Sequence, residues 1–117
     1  TRILTPRNAI NRSPGNAGRV LAELEAILRD RMRNPEPGSY TAGLFAAGKD
    51  AILKKVGEEA AEVILASKNG DHTNLIHEVA DLWFHSLVAL AEAGLGLDDV
   101  MSELESRRGK RRGSSPR

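Results

Sequence analysis

Apolar residues recur every three or four positions through most of this chain, and the stretches that keep that period are separated by clusters of Pro, Gly and Asn. Val20, Leu21, Leu24, Ile27 and Leu28 predict a first helix over about 18–33. The segment "NPEPGS" (34–39) stops it with two prolines, and Ser39 is placed to cap a short helical piece running toward Gly48. A third helix is expected over about 50–68, with Asp50 as its N-cap and Gly70 as its stop. Asp71 is placed to cap a fourth, over about 72–93, that ends at "GLG"; Asp98 caps a last one reaching about Arg108. No segment alternates as a strand does, so the expected fold is all-α. The short turn between helices three and four makes them an antiparallel hairpin.

Helix four departs from a simple amphipathic pattern. Leu75, Ile76, Val79, Leu82, Trp83, Phe84, Leu87, Val88 and Leu90 cover more than one face, so the helix must be buried on several sides. The other helices of a 117-residue chain can hardly supply that cover. A second copy of the hairpin can, giving a four-helix bundle shared by a homodimer.

Composition adds boundaries. Hydrophobic residues are 40% and charged residues 28%, ordinary for one globular domain, while aromatics at 3% leave the core to Leu, Ile, Val and Ala. Without cysteine, disulfides and thiolate metal sites are excluded. No apolar run approaches the ~18 residues of a membrane span and the start lacks a secretory layout, so a cytoplasmic protein with no membrane partner is expected. The net charge of +1 conceals a basic end, "RRGKRRGSSPR". It has no aromatic residue to stack a base, so no nucleic-acid partner is expected. Residues 1–17 read as an irregular lead-in, 18–108 as the domain and 109–117 as a disordered basic tail.

Against that background two carboxylates stand out. From Leu75 to Ala91 the only formally charged side chains are Glu78 and Asp81, three residues apart on the most apolar helix. Uncompensated charge in such a setting costs several kcal/mol, so a partner is required. Helix three carries Glu58, Glu59 and Glu62 within one turn, in "KKVGEEAAEV". An antiparallel hairpin can bring the two stripes face to face, and the acids then repel unless cations sit between them. An oxygen-rich, thiolate-free set favours Mg²⁺, with Mn²⁺ as a substitute, over zinc. Lys54 and Lys55, one turn earlier, either neutralise the acids or bind phosphate. Gly57, with Ala60 and Ala61, leaves room for a helix or a ligand. His85 is either a partner holding the Asp81 carboxylate or a core-edge histidine bonded to a backbone carbonyl. His72 and His77 read as surface or interface residues.

E-E-x-x-E on one helix followed by E-x-x-D on the next resembles the all-α, MazG-type nucleoside triphosphate pyrophosphohydrolases. The closer resemblance is to the phosphoribosyl-ATP pyrophosphohydrolase family of histidine biosynthesis. It is carried by "SYTAGLFAAGKDAILKKVGEEAAEVILASKNG" and "EVADLWFHSLVALAEAGLGLDDVMSELESR", and covers about residues 18–108. The resemblance implies Mg²⁺-dependent hydrolysis of the α–β phosphoanhydride of phosphoribosyl-ATP, a small-molecule nucleotide substrate, to phosphoribosyl-AMP and pyrophosphate. It implies that Glu58, Glu59, Glu62, Glu78 and Asp81 hold the metal, with Glu58, Glu59 or Glu62 activating water. Tyr40, Thr41 and Lys55 become phosphate or ribose contacts, with His85 beside them. It also implies a standalone enzyme without the cyclohydrolase domain to which the family is often fused. The competing readings are a house-cleaning (d)NTP pyrophosphohydrolase with the same metal site, and a non-catalytic helical module whose basic tail binds RNA.

Overall fold

The computed structural model describes residues 14–113. They form α1 (Pro14–Arg33), α2 (Tyr40–Ala47), α3 (Lys49–Lys68), α4 (His72–Glu92) and α5 (Leu97–Gly113). Among the described residues there is no strand, and the all-α expectation holds.

Two helix starts are capped as the sequence indicates. Ser39 Oγ accepts from the Ala42 N–H at 3.1 Å, and Asp71 Oδ1 accepts from the Asn74 N–H at 3.1 Å. Two others are corrected. Asp50 is not an N-cap, because α3 begins at Lys49 behind Gly48, which offers no side chain to the first turn. Asp50 instead lies in that turn, where a carboxylate complements the positive end of the helix. Asp98 is not a cap either, because α5 begins at Leu97. The outer boundaries also differ. Residues 14–17 of the expected lead-in are helical, since a proline in the first turn removes an N–H that has no intrahelical acceptor. At the other end α5 continues through residues 109–113, past the expected limit at Arg108. The rest of the expected lead-in and tail, 1–13 and 114–117, lies outside the described residues.

The start of α5 is held from a distance. Glu25 Oε2, on α1, accepts from the Leu97 N–H at 2.6 Å, while Arg29 Nη2 donates to the Leu95 carbonyl at 2.8 Å. Asp99 Oδ2 accepts from the Gly96 N–H at 2.9 Å, so the orphan donors of the first turn are met by two carboxylates. A Cβ at Gly96 would stand 2.9 Å from both Arg29 Nη2 and Glu25 Oε2. Gly96→Ala should therefore loosen this clamp and cost about 1–2 kcal/mol, read as a lowered urea midpoint at unchanged slope.

α3 and α4 form the most extensive helix pair and turn back on each other through residues 69–71. Hydrogen bonds from Gly70 N to the Ser67 carbonyl (3.1 Å) and from Asp71 N to the Ala66 carbonyl (3.2 Å) close the end of α3. α1 and α2 pack across the hairpin. Leu28, Ile52 and Val88, fully buried, join Leu44 and Leu87 in the core, with Leu21, Leu24, Phe45, Phe84, Leu90 and Leu97 around them. That core uses only part of the apolar surface. Leu53, Ile64 and Leu65 on α3 and Ile76 and Trp83 on α4 are half exposed or more. No helix among the described residues is long and apolar enough to cross a membrane.

Candidate metal centre

The hairpin brings the middle glutamate of the first motif against both acids of the second. Glu59 on α3 and Glu78 and Asp81 on α4 each present a carboxylate oxygen, all within 4.8 Å of one another. Facing turns of antiparallel helices produce this, because residues three and four apart share one side of a helix. Glu59 is 8% exposed, and its Oε1 has no hydrogen-bond partner. A buried carboxylate oxygen without a donor costs roughly 1–3 kcal/mol, more when charged, so the arrangement is incomplete as it stands.

Glu78 shows the same tension. Its carboxyl is raised above the usual value of 4.5, chiefly by a hydrogen bond with Glu59, then by burial and by the charges of Glu59 and Glu62, with His77 opposing. Two facing carboxylates share a proton when nothing else neutralises them. The donor set, three oxygens with no sulfur, is one that a hard cation fits and that could hold one.

The remaining acids stand apart from this trio. Glu58 turns toward the lysines, 4.0 Å from Lys54 Nζ and 3.6 Å from Lys55 Nζ. Glu62 is exposed, near enough to influence Glu78 electrostatically. Lys55 also lies 3.8 Å from Glu59 Oε2. Its ammonium is held above the usual lysine value, first by Tyr40 and then by Glu58 and Glu59, against partial burial.

Beside the trio opens a cavity of about 380 Å³ lined by Tyr40, Lys55, Glu59, Asp81, Phe84 and His85. α2 supplies Tyr40 because Ser39 starts that helix one residue earlier. Thr41, half-buried on the same turn, is not among the lining residues. His85 is 4% exposed and bonds to the Asp81 backbone carbonyl through Nδ1 at 2.8 Å, and to the Tyr40 hydroxyl through Nε2 at 2.8 Å. Of the two readings of His85, the backbone-bonded one is observed.

For two residues the sequence reading missed the part they take at the site. His77 Nε2 stands 3.2 Å from Asp81 Oδ2, an i,i+4 contact of the same kind as Lys55 to Glu59, and the spacing could have shown it. Phe84 forms a cavity wall by packing edge-on to His85, with ring centroids 5.0 Å apart, which no local spacing announces. The room at Gly57 is filled by neither helix nor side chain: a Cβ there meets nothing within 4 Å among the described residues.

Residues 21–108 match the family model described as phosphoribosyl-ATP pyrophosphohydrolase. A phosphoribosyl-ATP pyrophosphatase of Methylibium petroleiphilum is 51% identical over 91 residues, 78% of this chain and 76% of that protein. The one of Pelotomaculum thermopropionicum is 50% identical over 92 residues, covering 79% and 94%. For Methylococcus capsulatus the values are 50% over 90 residues, 77% and 86%.

Proposed function

Since the chain belongs to the phosphoribosyl-ATP pyrophosphohydrolase family, we propose that it hydrolyses the α–β phosphoanhydride of phosphoribosyl-ATP, releasing phosphoribosyl-AMP and pyrophosphate in histidine biosynthesis. The observation that carries the reading at the site is buried Glu59, its Oε1 without a partner, grouped with Glu78 and Asp81 beside a lysine-bearing cavity.

In this proposal Glu59, Glu78 and Asp81 hold Mg²⁺, with Mn²⁺ as a substitute, and Glu58 and Glu62 flank them on α3. Bound Mg²⁺ supplies charge neutralisation of the triphosphate and a coordinated water of lowered pKa. Lys55 meets a phosphate oxygen with a donor that stays charged through neutral pH. A glutamate not occupied with the cation takes the proton from the attacking water, and the bridging oxygen leaves as the anhydride opens. His77 steadies the Asp81 carboxylate from the outer side. Tyr40 and Thr41 belong to the ribose and phosphate end. The basic residues beyond Arg108 have no part in catalysis, so a chain ending there should keep its kcat; a large drop would mean that the tail reaches the substrate.

The unit proposed is a homodimer in which α3 and α4 of two copies complete a four-helix bundle. What supports it is the apolar surface that one chain leaves open on both helices of the hairpin.

The direct test is pyrophosphate release from phosphoribosyl-ATP. Release should require Mg²⁺ and stop in EDTA, and should exceed that from dNTPs, which the house-cleaning alternative would favour. Undiminished turnover in metal-free buffer would overturn the metal assignment.

A further inference from the structure

The chain holds one Trp, one Tyr and two Phe, and two of these four rings, Tyr40 and Phe84, wall the cavity that Lys55, Glu59 and Asp81 also line. The two rings lie within 28° of parallel, with centroids 6.3 Å apart. The His85 ring stands at 90° to Tyr40 and 88° to Phe84, with centroids at 5.9 and 5.0 Å, and so brackets both. Phe84 follows Asp81 by three residues, which puts it on the same side of α4, one turn beyond the acids. Charge and π surface therefore share one cavity. The face of a benzene ring is negative and has nothing to offer a phosphate, which the metal trio and Lys55 serve instead. The aromatic wall is left for the base.

The base of phosphoribosyl-ATP differs in charge from that of ATP. Its second ribose is carried on N1 of the adenine ring, and the new bond consumes that nitrogen's lone pair. The exocyclic nitrogen becomes the basic site, and the resulting amidine holds a proton and a delocalised positive charge near neutral pH. A flat cation is what the negative face of an aromatic ring attracts. We propose that Phe84 is a specificity-determining residue, the platform on which the cationic, N1-substituted base stacks, so that the site prefers it to the neutral bases of ATP and dNTPs. Its place in the cavity fits this role. Tyr40 belongs to the sugar end, and the base is one glycosidic bond from a sugar, beside the ring that is parallel to Tyr40. Lys55, which would repel a second cation, stands 3.6 Å from Glu58 and 3.8 Å from Glu59, whose charges offset its own.

The identity of the cation rests on the phosphoribosyl-ATP reading, whereas the preference for positive charge at Phe84 does not, and the tests separate the two. Phe84 also packs against the core, so a smaller residue there would mix recognition with stability. Phenylalanines bearing one, two and three fluorines at position 84 keep the shape and drain negative charge from the face. KM for phosphoribosyl-ATP should rise stepwise along that series, reaching about threefold to thirtyfold for the trifluoro ring, with kcat held. A KM that stays flat would overturn the proposal. A second measurement uses 1-methyl-AMP, a cation, and 1-methyl-IMP, its neutral isostere with oxygen in place of the exocyclic nitrogen. In calorimetry the unmodified protein should bind the first about threefold to thirtyfold more tightly, and the trifluoro ring should close the gap. A gap that survives fluorination would belong to the carboxylates, and equal affinity or no binding of either would equally defeat Phe84. If the gap behaved as expected but phosphoribosyl-ATP released no pyrophosphate, the substrate reading would fall and the role of Phe84 would stand.

Discussion

Asp81→Asn and Glu59→Gln should each lower turnover on phosphoribosyl-ATP by on the order of 100-fold or more, with the protein still folded. Both changes keep the shape of the side chain and remove one negative charge from a trio whose oxygens lie within 4.8 Å. The expectation for stability has the opposite sign to that for activity. Glu59 Oε1 has no donor, and Glu78 is pressed toward its protonated form by a hydrogen bond with Glu59. A glutamine at position 59 brings an N–H that can serve Glu78, so the metal-free variant should melt no lower than the parent. Added Mg²⁺ should raise the Tm of the parent and not of the variants, since only a folded-state ligand site stabilises. If both variants lost activity only by unfolding, these acids would be structural and the metal assignment would fail.

The second large effect concerns assembly. Light scattering should give a mass near twice the 12.7 kDa of one chain, and Ile64→Asp should bring it to that of a single chain with a lower melting temperature. On α3, Leu53 (50% exposed) and Ile64 (62%) lie eleven residues apart, three turns along one face; on α4, Ile76 (73%) and Trp83 (54%) lie seven apart, two turns along another. Each such side chain left in water forgoes roughly 1.5–3 kcal/mol, a sum comparable to the whole stability of a small domain. Ala60, Ala61 and the open Gly57 lie between Leu53 and Ile64, where close approach of a second helix needs small residues. A two-fold axis would place two introduced aspartates in one interface, which is why a single substitution is enough. A folded, active parent of 12.7 kDa would dispose of the dimer.

What the sequence disclosed and what it hid follow from the range of the interactions. Ser39 and Asp71 could be assigned as caps because a cap acts within three residues of itself. That the acidic stripes of α3 and α4 face each other was legible from an antiparallel hairpin; that Glu59, and neither Glu58 nor Glu62, joins Glu78 and Asp81 was not, because spacing does not fix the register of two helices. Asp50 misled because the chain passes from α2 to α3 through one residue, leaving no position for a side-chain cap. The distant half of the α5 capping was invisible: the acceptor for the Leu97 N–H, Glu25, lies 72 residues earlier. His85 was left between the Asp81 carboxylate and a backbone carbonyl; the backbone is its partner, through a ring orientation that spacing does not encode.

The single residue between α2 and α3 bears on how such a pocket can diverge. Gly48 has φ 99° and ψ 178°, a region open essentially to glycine alone, and accepts no spacer on either side of it. Each residue inserted into a helical path turns what precedes it by about 100°. One inserted codon at this elbow would swing Tyr40 away from Lys55, whereas the loop from Asn34 to Ser39 has slack to absorb several. Changes of substrate among descendants of this chain should therefore be recorded as replacements on the cavity wall and as length variation in the 34–39 loop, with the elbow constant in length.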